Sequence, residues 1–600
     1  MFDLELASLT DAVRQSFNRM GVPAPDKIDW IPLPFAGTWG FGTPACFQAA
    51  AAEAKAGKRV NVPERAQEIA RRVAEGVTPP PGIQRLSADK AYLNAFFDMQ
   101  HFAGRVVDEA IDQAADFGRG PRRGERIMVE YAQPNTHHSF HIGHARNTLL
   151  GECLARLVEF AGFETIRASY PGDIGLGVIT CVWAYQRFHQ GQEPEGTHAR
   201  GQWMLKIYAD ATSLLTPRDS ETLDERTLRE TYEAERRDLY RRWDQGDPEV
   251  RELWMRTRRW SLDELEDILR ILDVEMDVFF FESEVEEPAK AIVAELIERG
   301  IAEDERPAGP VIVKIDEKLG LKKEKYRTAV ILRSDGTTLY LTKDLALAKQ
   351  KFEQFHVDRS VYVVDVRQSL HFQQAFKILE LYGFPQAAKC YHLAYGFVTL
   401  PEGAMSARRG NVVFFKDVLD EAQRRVLAAI AEKNPDLPGP ERDTVAAKVG
   451  LGALAYALLS VDNTKDIVFD WDSALSFDGQ SGPYIQNAHV RANSILRKAG
   501  GFPADSAFEH TLEPLEVELI DRISRFPRVV QQAADEYKPL HMANYAFELA
   551  KAFHGFYHAV PVLQSPTVSI REARLRLVAA ARQTLANALQ LLDIQAPEVM

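Results

Sequence analysis

Residues 137–147 read HHSFHIGHARN and place four of the chain's 15 histidines, His137, His138, His141 and His144, within eight positions. Imidazoles gathered in this way can ligate a metal, move protons or donate hydrogen bonds to anions. His141 and His144 are three apart, so on a helix they would share a face, as a pair of metal ligands does. No Cys, Asp or Glu stands at ligand spacing beside them, so zinc has little support and no metal site is expected. A lone histidine would be read as an ordinary turn or helix residue; four together weaken that reading. Their place in the chain favours a third chemistry. They fall where a strand ends and a helix begins, where backbone N–H groups and the helix dipole attract an anion. His141 and His144 would then aim donors at phosphate oxygens, and Gly143, lacking a side chain, would let a flat base approach the backbone. Such a constellation describes a nucleotide site.

The elements that must position it can be read from periodicity. IMVEYA (127–132) has the apolar run of a buried strand, a helix follows from about Gly143 to Phe160, and ETIRASY (164–170) is the next strand. Strand, helix, strand in that order is a parallel βαβ unit, with a ligand site at the carboxyl end of its first strand. The sheet resumes later. AVILRSDGTTLYLTKD (329–344) reads as a hairpin turning at Asp335-Gly336, and VYVVD (361–365) as a central strand. Residues 190–275 are charged, helical and Trp-rich, which marks an insertion.

The first ~120 residues form a small mixed domain, with a helix-period segment at 64–76, a Pro-rich break TPPPG and an apolar stretch around Tyr92 to Phe102. From about 445 the apolar spacing is helical to the end. The expected fold is therefore multidomain α/β. Residues 1–122 make a small α+β N-terminal domain, 123–440 a Rossmann-like parallel-sheet domain carrying the helical insertion, and 441–600 an all-α bundle.

A chain of 600 residues is too long for one hydrophobic core. Its apolar fraction of 46% and charged fraction of 26% are those of a folded globular protein. The start, MFDLELASLTDAVRQSF, is acidic where a signal peptide is basic, and no apolar run reaches the ~18–20 residues that span a bilayer. A cytoplasmic location without membrane contact is expected. Cys46, Cys153, Cys181 and Cys390 lie far apart and read as reduced thiols. A net charge of -14 argues against indiscriminate binding of nucleic acid. It leaves room for local basic surfaces such as RRGER (122–126), RRDLYRRW (236–243) and RANSILRK (491–498).

VEYAQPN followed by FHIGHARNTLLGE (140–152) resembles the first signature of class I aminoacyl-tRNA synthetases, and more narrowly that of arginyl-tRNA synthetases. The resemblance continues through GTTLYLTKDLA (336–346), RQSLHFQQAFKIL (367–379), MSARRGNVVF (405–414), SGPYIQNAHVRANSIL (481–496) and QLLDIQAPEVM (590–600), and so spans nearly the whole chain. It implies ATP, with Mg2+ accompanying the nucleotide, as co-substrate. It also implies L-arginine and tRNA(Arg) as partners, a monomer as the working form, and a helical anticodon-binding domain at the C-terminus.

In this family the arginine carboxylate attacks the α-phosphate of ATP, pyrophosphate leaves, and the adenylate passes to the terminal ribose of tRNA. No protein nucleophile is needed, so positioning and electrostatic stabilisation carry the catalysis. The resemblance assigns His141, Gly143 and His144 to the nucleotide, with His371 and Val398 beside it. It assigns Glu130, Asn135, Tyr340, Asp344 and Gln368 to arginine, Asn135 at the α-amino end. A forked, permanent cation requires carboxylates. Tyr340 and Asp344 share a face if the strand continues that far; the alternative for Asp344 is the N-cap of the helix that LALAKQKF begins. A site of this kind rejects lysine and citrulline and needs no editing domain, which leaves the insertion tRNA-contacting or structural.

Several positions depart from the family pattern. The second signature, usually Lys-Met-Ser-Lys-Ser, reads Ala404-Met405-Ser406-Ala407-Arg408, with Arg409 and Gly410 following. Met405 and Ser406 are retained and both lysines are gone, so Arg408 or Arg409 is expected to neutralise the leaving pyrophosphate. The lysine many members carry ahead of the first signature is replaced by His138, the common Trp-Gly-Thr-Gln by Ile174-Gly175-Leu176-Gly177, and a frequent tyrosine by Asn487. Tyr484, Arg491, Tyr557 and Met600 are the candidates for reading the anticodon, and Asn94 for the tRNA elbow; at helical spacing, Tyr and Met are more often core. Rival readings are a small nucleotidyltransferase, which length disfavours, and a non-catalytic paralogue that senses tRNA or arginine. A cysteinyl or glutaminyl enzyme is the nearest confusion within the class, and the scattered cysteines supply no zinc site for the former.

Overall fold

The computed structural model describes residues 2–399, 413–433 and 438–600, in two compact units. The first unit comprises residues 1–117, 491–526 and 548–587. Its sheet is antiparallel, with strands β1 (Ile31–Pro32), β2 (Gly40–Thr43), β3 (Ile83–Asp89) and β4 (Tyr92–Phe97) in the order β1-β2-β4-β3. The Val62–Gly76 helix buries Ala66, Ile69, Ala70 and Val73, the spacing of one helical face. Phe102 stacks on Trp39 with ring centroids 4.1 Å apart, and the Trp39 indole N–H donates to Asp521 at 3.1 Å. The N-terminal sheet thereby shares its core with helices from the end of the chain. Arg576 binds Asp108 at 2.6 Å in the same unit.

The second unit comprises residues 118–490, 527–547 and 588–600. In chain order its strands are β5 (Arg126–Glu130), β6 (Glu164–Ser169), β7 (Val278–Phe279), β8 (Glu303–Asp304), β9 (Val311–Lys314), β10 (Thr328–Leu332), β11 (Arg359–Asp365), β12 (Cys390–Tyr395), β13 (Val398–Thr399) and β14 (Ile467–Val468). Five of them form a parallel sheet in the order β12-β11-β5-β6-β7. The chain builds outward from β5 through β6 to β7, then crosses to the other side for β11 and β12. The strand order therefore reverses between β5 and β11, and the carboxyl ends of strands at such a switch point are where α/β sheets hold ligands. The Ile142–Phe160 helix connects β5 to β6 and is buried on most of its circumference, as a crossover helix packed on a sheet must be.

The expected helical insertion is present as the helices Thr197–Leu215, Leu223–Asp244 and Pro248–Ile271. They pack with Leu176–Ala184 around Trp183, Trp243 and Trp254. The expected hairpin at 329–344 is not. Strand β10 ends at Leu332 and pairs with β9, the turn at Asp335-Gly336 leaves a single bridge between Leu332 and Thr338, and the chain enters a helix, Tyr340–Phe355. Among the buried residues of this helix Leu341, Leu345, Ala348 and Phe352 recur every three or four positions, the period of one helical face. All four cysteines are free thiols. Among the described residues no helix is long and apolar enough to cross a membrane.

Candidate active site

His141 is the N-cap of the Ile142–Phe160 helix. Its Nδ1 accepts from the amides of Gly143 at 3.1 Å and His144 at 3.3 Å, and its own amide donates to His144 Nδ1 at 3.4 Å. The two rings stack at 3.6 Å. With both Nδ1 atoms accepting, each neutral ring carries its proton on Nε2, and that N–H is the donor left for a ligand. Both rings are neutral. Burial, with His138 adding to it, lowers His141 to about 4, and burial with His141 beside it takes His144 well below the usual imidazole value.

The turn differs from the expected anion site in one respect. The amides of Gly143 and His144 are consumed by His141, and the Ile142 amide donates to the Val413 carbonyl at 3.1 Å. The donors available to phosphate are imidazole N–H groups, and the backbone ones are taken. Gly143 also has a nearer reason to be glycine than a passing base, because a Cβ there would lie 2.9 Å from His141 Cε1. His137 is structural: fully buried, it bonds the Thr257 hydroxyl at 2.8 Å and the Thr136 hydroxyl at 2.9 Å. His138 bonds the Thr136 carbonyl at 3.2 Å and packs on Tyr208 with ring centroids 4.6 Å apart. Burial lowers its pKa, so it does not replace a lysine as a cation.

Neighbouring residues fix the turn against the sheet edge. Asn147 accepts from the Ala132 amide at 2.6 Å and donates to the Val363 carbonyl at 2.6 Å, bridging the exits of β5 and β11. His141 forms a bridge with Phe414, and the Phe415 amide donates to the Phe140 carbonyl at 3.1 Å. Met405, Ser406, Arg408 and Arg409 lie outside the described residues.

The acidic half of the site gathers at the same sheet edge. Glu130 ends β5 and is buried, but Lys351 from the Tyr340–Phe355 helix binds its carboxylate. Lys351 is itself fully buried, 4.3 Å above the ring of Tyr362. Glu130, which the resemblance assigns to arginine, carries an internal cation on its carboxylate in the ligand-free structure. Burial pushes its carboxyl upward, Lys351 opposes this, and Asp344 reinforces it, so Asp344 lies within electrostatic reach. Asp344 is neither a strand residue nor an N-cap. It sits one turn after Tyr340 on the helix, and the two share a face at the i, i+4 spacing. Its carboxylate meets His371 Nε2 at 2.5 Å, which gives His371 a carboxylate partner.

Glu282 was missed in the sequence. It follows β7, is 7% exposed, and has no full cationic partner: Lys343 is 3.8 Å away and closer, at 3.2 Å, to Glu286. Burial raises Glu282 to about 8, with Lys343 opposing and Asp344, Asp173 and Glu286 adding to the shift. Tyr170 lies in the field of Asp344, Glu282, Glu130 and Asp173, and its buried hydroxyl has no hydrogen-bond partner among the described residues. Asp173 is already paired, with Arg258 at 2.9 Å and the Ser283 hydroxyl at 2.7 Å. Of these five acids Glu130, Asp173 and Glu286 each have a cation, which leaves Asp344 and Glu282 for a ligand, a set that suits one guanidinium.

The remaining expected residues are distributed as follows. Asn135 is exposed beside Gly172, where a Cβ would lie 2.3 Å from Asn135 Oδ1 and 3.3 Å from Glu282 Oε1, so Asn135 and Glu282 flank one backbone position. Tyr340 is largely exposed overall, and burial around its hydroxyl, with Glu282 adding to it, raises its pKa. Gln368 is exposed at the N-cap of the Ser369–Tyr382 helix, and Val398 is buried on β13. In the first unit Arg491 and Tyr557 come together, the guanidinium 5.0 Å over the ring and bonded to His554 at 3.0 Å and His558 at 3.2 Å; Asn94 is half-buried within β4. In the second unit Tyr484 is half-buried against Phe547, and Met600 packs against the Val426–Val445 cluster.

The parallel sheet, the histidine-capped crossover helix and the acidic cluster beside it are those of a class I tRNA synthetase: the sequence pattern of the tRNA synthetases class I (R) catalytic domain matches residues 107–471. The DALR anticodon binding domain matches residues 485–600. The chain belongs to the arginine–tRNA ligase family. It is 36% identical to the arginine–tRNA ligase of Bdellovibrio bacteriovorus over 85% of this chain and 86% of that one. With the arginine–tRNA ligase of Clostridium acetobutylicum it shares 32% identity over 97% of each. The solved Thermus thermophilus arginyl-tRNA synthetase superimposes with a TM-score of 0.75 at 28% identity, covering 99% of this chain and 100% of that one.

Proposed function

We infer that the protein is an arginine–tRNA ligase, which joins L-arginine to the terminal ribose of tRNA(Arg) with conversion of ATP to AMP and pyrophosphate. The arginine side chain would enter at the carboxyl end of β5 and place its guanidinium between Asp344 and Glu282, with Tyr340 along its length and Asn135 at the α-amino end. Its carboxylate then faces the nucleotide held at the histidine turn. His141 and His144 donate Nε2–H bonds to phosphate oxygens as charge develops there. Neutral donors suit this task because they need not lose or gain a proton during the reaction. Gly143 with Val398 would bound the adenine side, and Arg408 or Arg409 would meet the departing pyrophosphate. Mg2+ accompanies the nucleotide as part of the substrate.

Residues 441–600 would bind the anticodon, with Arg491 and Tyr557 the best-supported pair because cation and ring are already stacked. Residues 1–122 would meet the tRNA elbow, and 123–440 would hold the chemistry. The observation that supports the reading is a pair of acids, Asp344 and Glu282, with no lysine or arginine of their own, at the sheet edge that also presents the two neutral histidines. Charging of total tRNA with each labelled amino acid in turn tests it. Arginine alone should be attached; attachment of lysine or cysteine at a comparable rate would overturn the assignment.

A further inference from the structure

Arg146 stands one turn beyond the histidine cap and is 1% exposed. No carboxylate lies within ion-pair distance of it among the described residues. Its guanidinium is spent on main-chain carbonyls: Nη1 donates to Gly396 at 2.5 Å, Phe397 at 3.4 Å and Lys465 at 2.9 Å, and Nη2 to Asp462 at 3.4 Å and Asn463 at 3.2 Å. These carbonyls belong to the two segments that lead directly into β13 and β14, which pair in parallel as Val398 with Ile467 and Thr399 with Val468. The two segments also hold each other. The Gly396 amide donates to Asn463 at 2.8 Å, and the Phe397 amide to the Asp466 carboxylate at 2.7 Å. A buried cation without a direct ion pair is a costly group to retain. Five acceptors on two loops show what it is retained for: one side chain sets the register between the signature helix and a short parallel ladder with little pairing of its own.

We propose that Arg146 is a positioning residue for the nucleotide, fixing the Val398 strand relative to His141 and His144 through the carbonyls of residues 396, 397, 462, 463 and 465. This rests on the nucleotide reading of the histidine turn. Arg146 touches neither arginine nor ATP in this view, and a lysine in its place has three donors on a point charge where the planar fork serves two loops.

The test measures tRNA-dependent ATP–pyrophosphate exchange with full-length Arg146→Lys, and with Asp466→Ala, which loosens the same strand entry from an exposed position and should fold normally. Both should raise the KM for ATP, by ~10-fold for Arg146→Lys and several-fold for Asp466→Ala, and lower the exchange rate, while the KM for arginine stays within about twofold. Equal losses in ATP and arginine parameters, or no change in the ATP parameters of either variant, would overturn the inference. His141→Ala separates the two layers of the argument. If that variant retains full exchange, the nucleotide reading has failed; if it loses exchange while both strand variants keep wild-type ATP parameters, only the role of Arg146 has failed.

Discussion

Glu282 makes the affinity for arginine depend on pH in a way that can be worked out from its surroundings. Burial among acids holds its carboxyl up at about 8, so at neutral pH the empty site carries it protonated. A guanidinium binds the ionised form, and the apparent affinity scales with the ionised fraction. With a pKa of about 8 that fraction is ~3% at pH 6.5 and ~75% at pH 8.5, so the KM for arginine should fall ~25-fold between them, equivalent to ~1.9 kcal/mol. The sign is fixed: affinity is lost as pH falls through about 8, because the carboxylate becomes neutral. His141, lowered to about 4, and His144, lower still than its usual value, do not titrate across this window. The assay is the KM for arginine in pyrophosphate exchange from pH 6.5 to 8.5, for wild type and Glu282→Gln. The variant should bind arginine weakly with a nearly flat profile. A flat wild-type profile, or an identical slope in the variant, would refute the assignment of Glu282.

Asp344→Asn keeps an acceptor for His371 and removes the charge. A pair at ~4 Å and an effective dielectric near 20 is worth ~4 kcal/mol, and with the carboxylate 20% exposed we expect ~2–3 kcal/mol, a rise of ~30- to 150-fold in the KM for arginine with that for ATP unchanged. Lys351→Met should destabilise the protein by ~3–5 kcal/mol by leaving Glu130 buried and unpaired, and adding Glu130→Gln should recover part of the loss, as read from urea midpoints. Gly151→Ala places a Cβ 2.2 Å from Cγ of the fully buried Tyr131. It should lower the melting temperature through an overpacking loss of ~1–3 kcal/mol, and an unchanged melting temperature would show that the Tyr131 ring can move aside.

The frame of the site was legible because it is written in periodicity. The apolar strand IMVEYA, the helix after His141 and VYVVD each carry their own pattern, and their order sets the switch point. The hairpin reading at 329–344 failed because a short apolar run fits either period, and packing of the Leu345 and Phe352 face decides for the helix. The partners of Glu130 were not legible at all. Lys351 lies 221 positions away, and in sequence it is one of several lysines in a charged helix. Glu282 does carry a signal in the sequence: an acid closing the apolar run VFFFE marks the carboxyl end of a strand, the edge where ligands bind. The roles of the histidine nitrogens needed the structure, since only the hydrogen bonds of His141 and His144 show which nitrogen accepts.

The central claim is that Asp344 and Glu282 clasp the guanidinium while His141 and His144 meet the phosphates. A crystal structure of the protein with arginine, tRNA and a non-hydrolysable ATP analogue tests it directly. The account requires guanidinium nitrogens within ~3 Å of both carboxylates and phosphate oxygens within ~3 Å of the two Nε2 atoms. A guanidinium seated on Glu130 with Lys351 displaced, or phosphates bound away from the histidine turn, would contradict it.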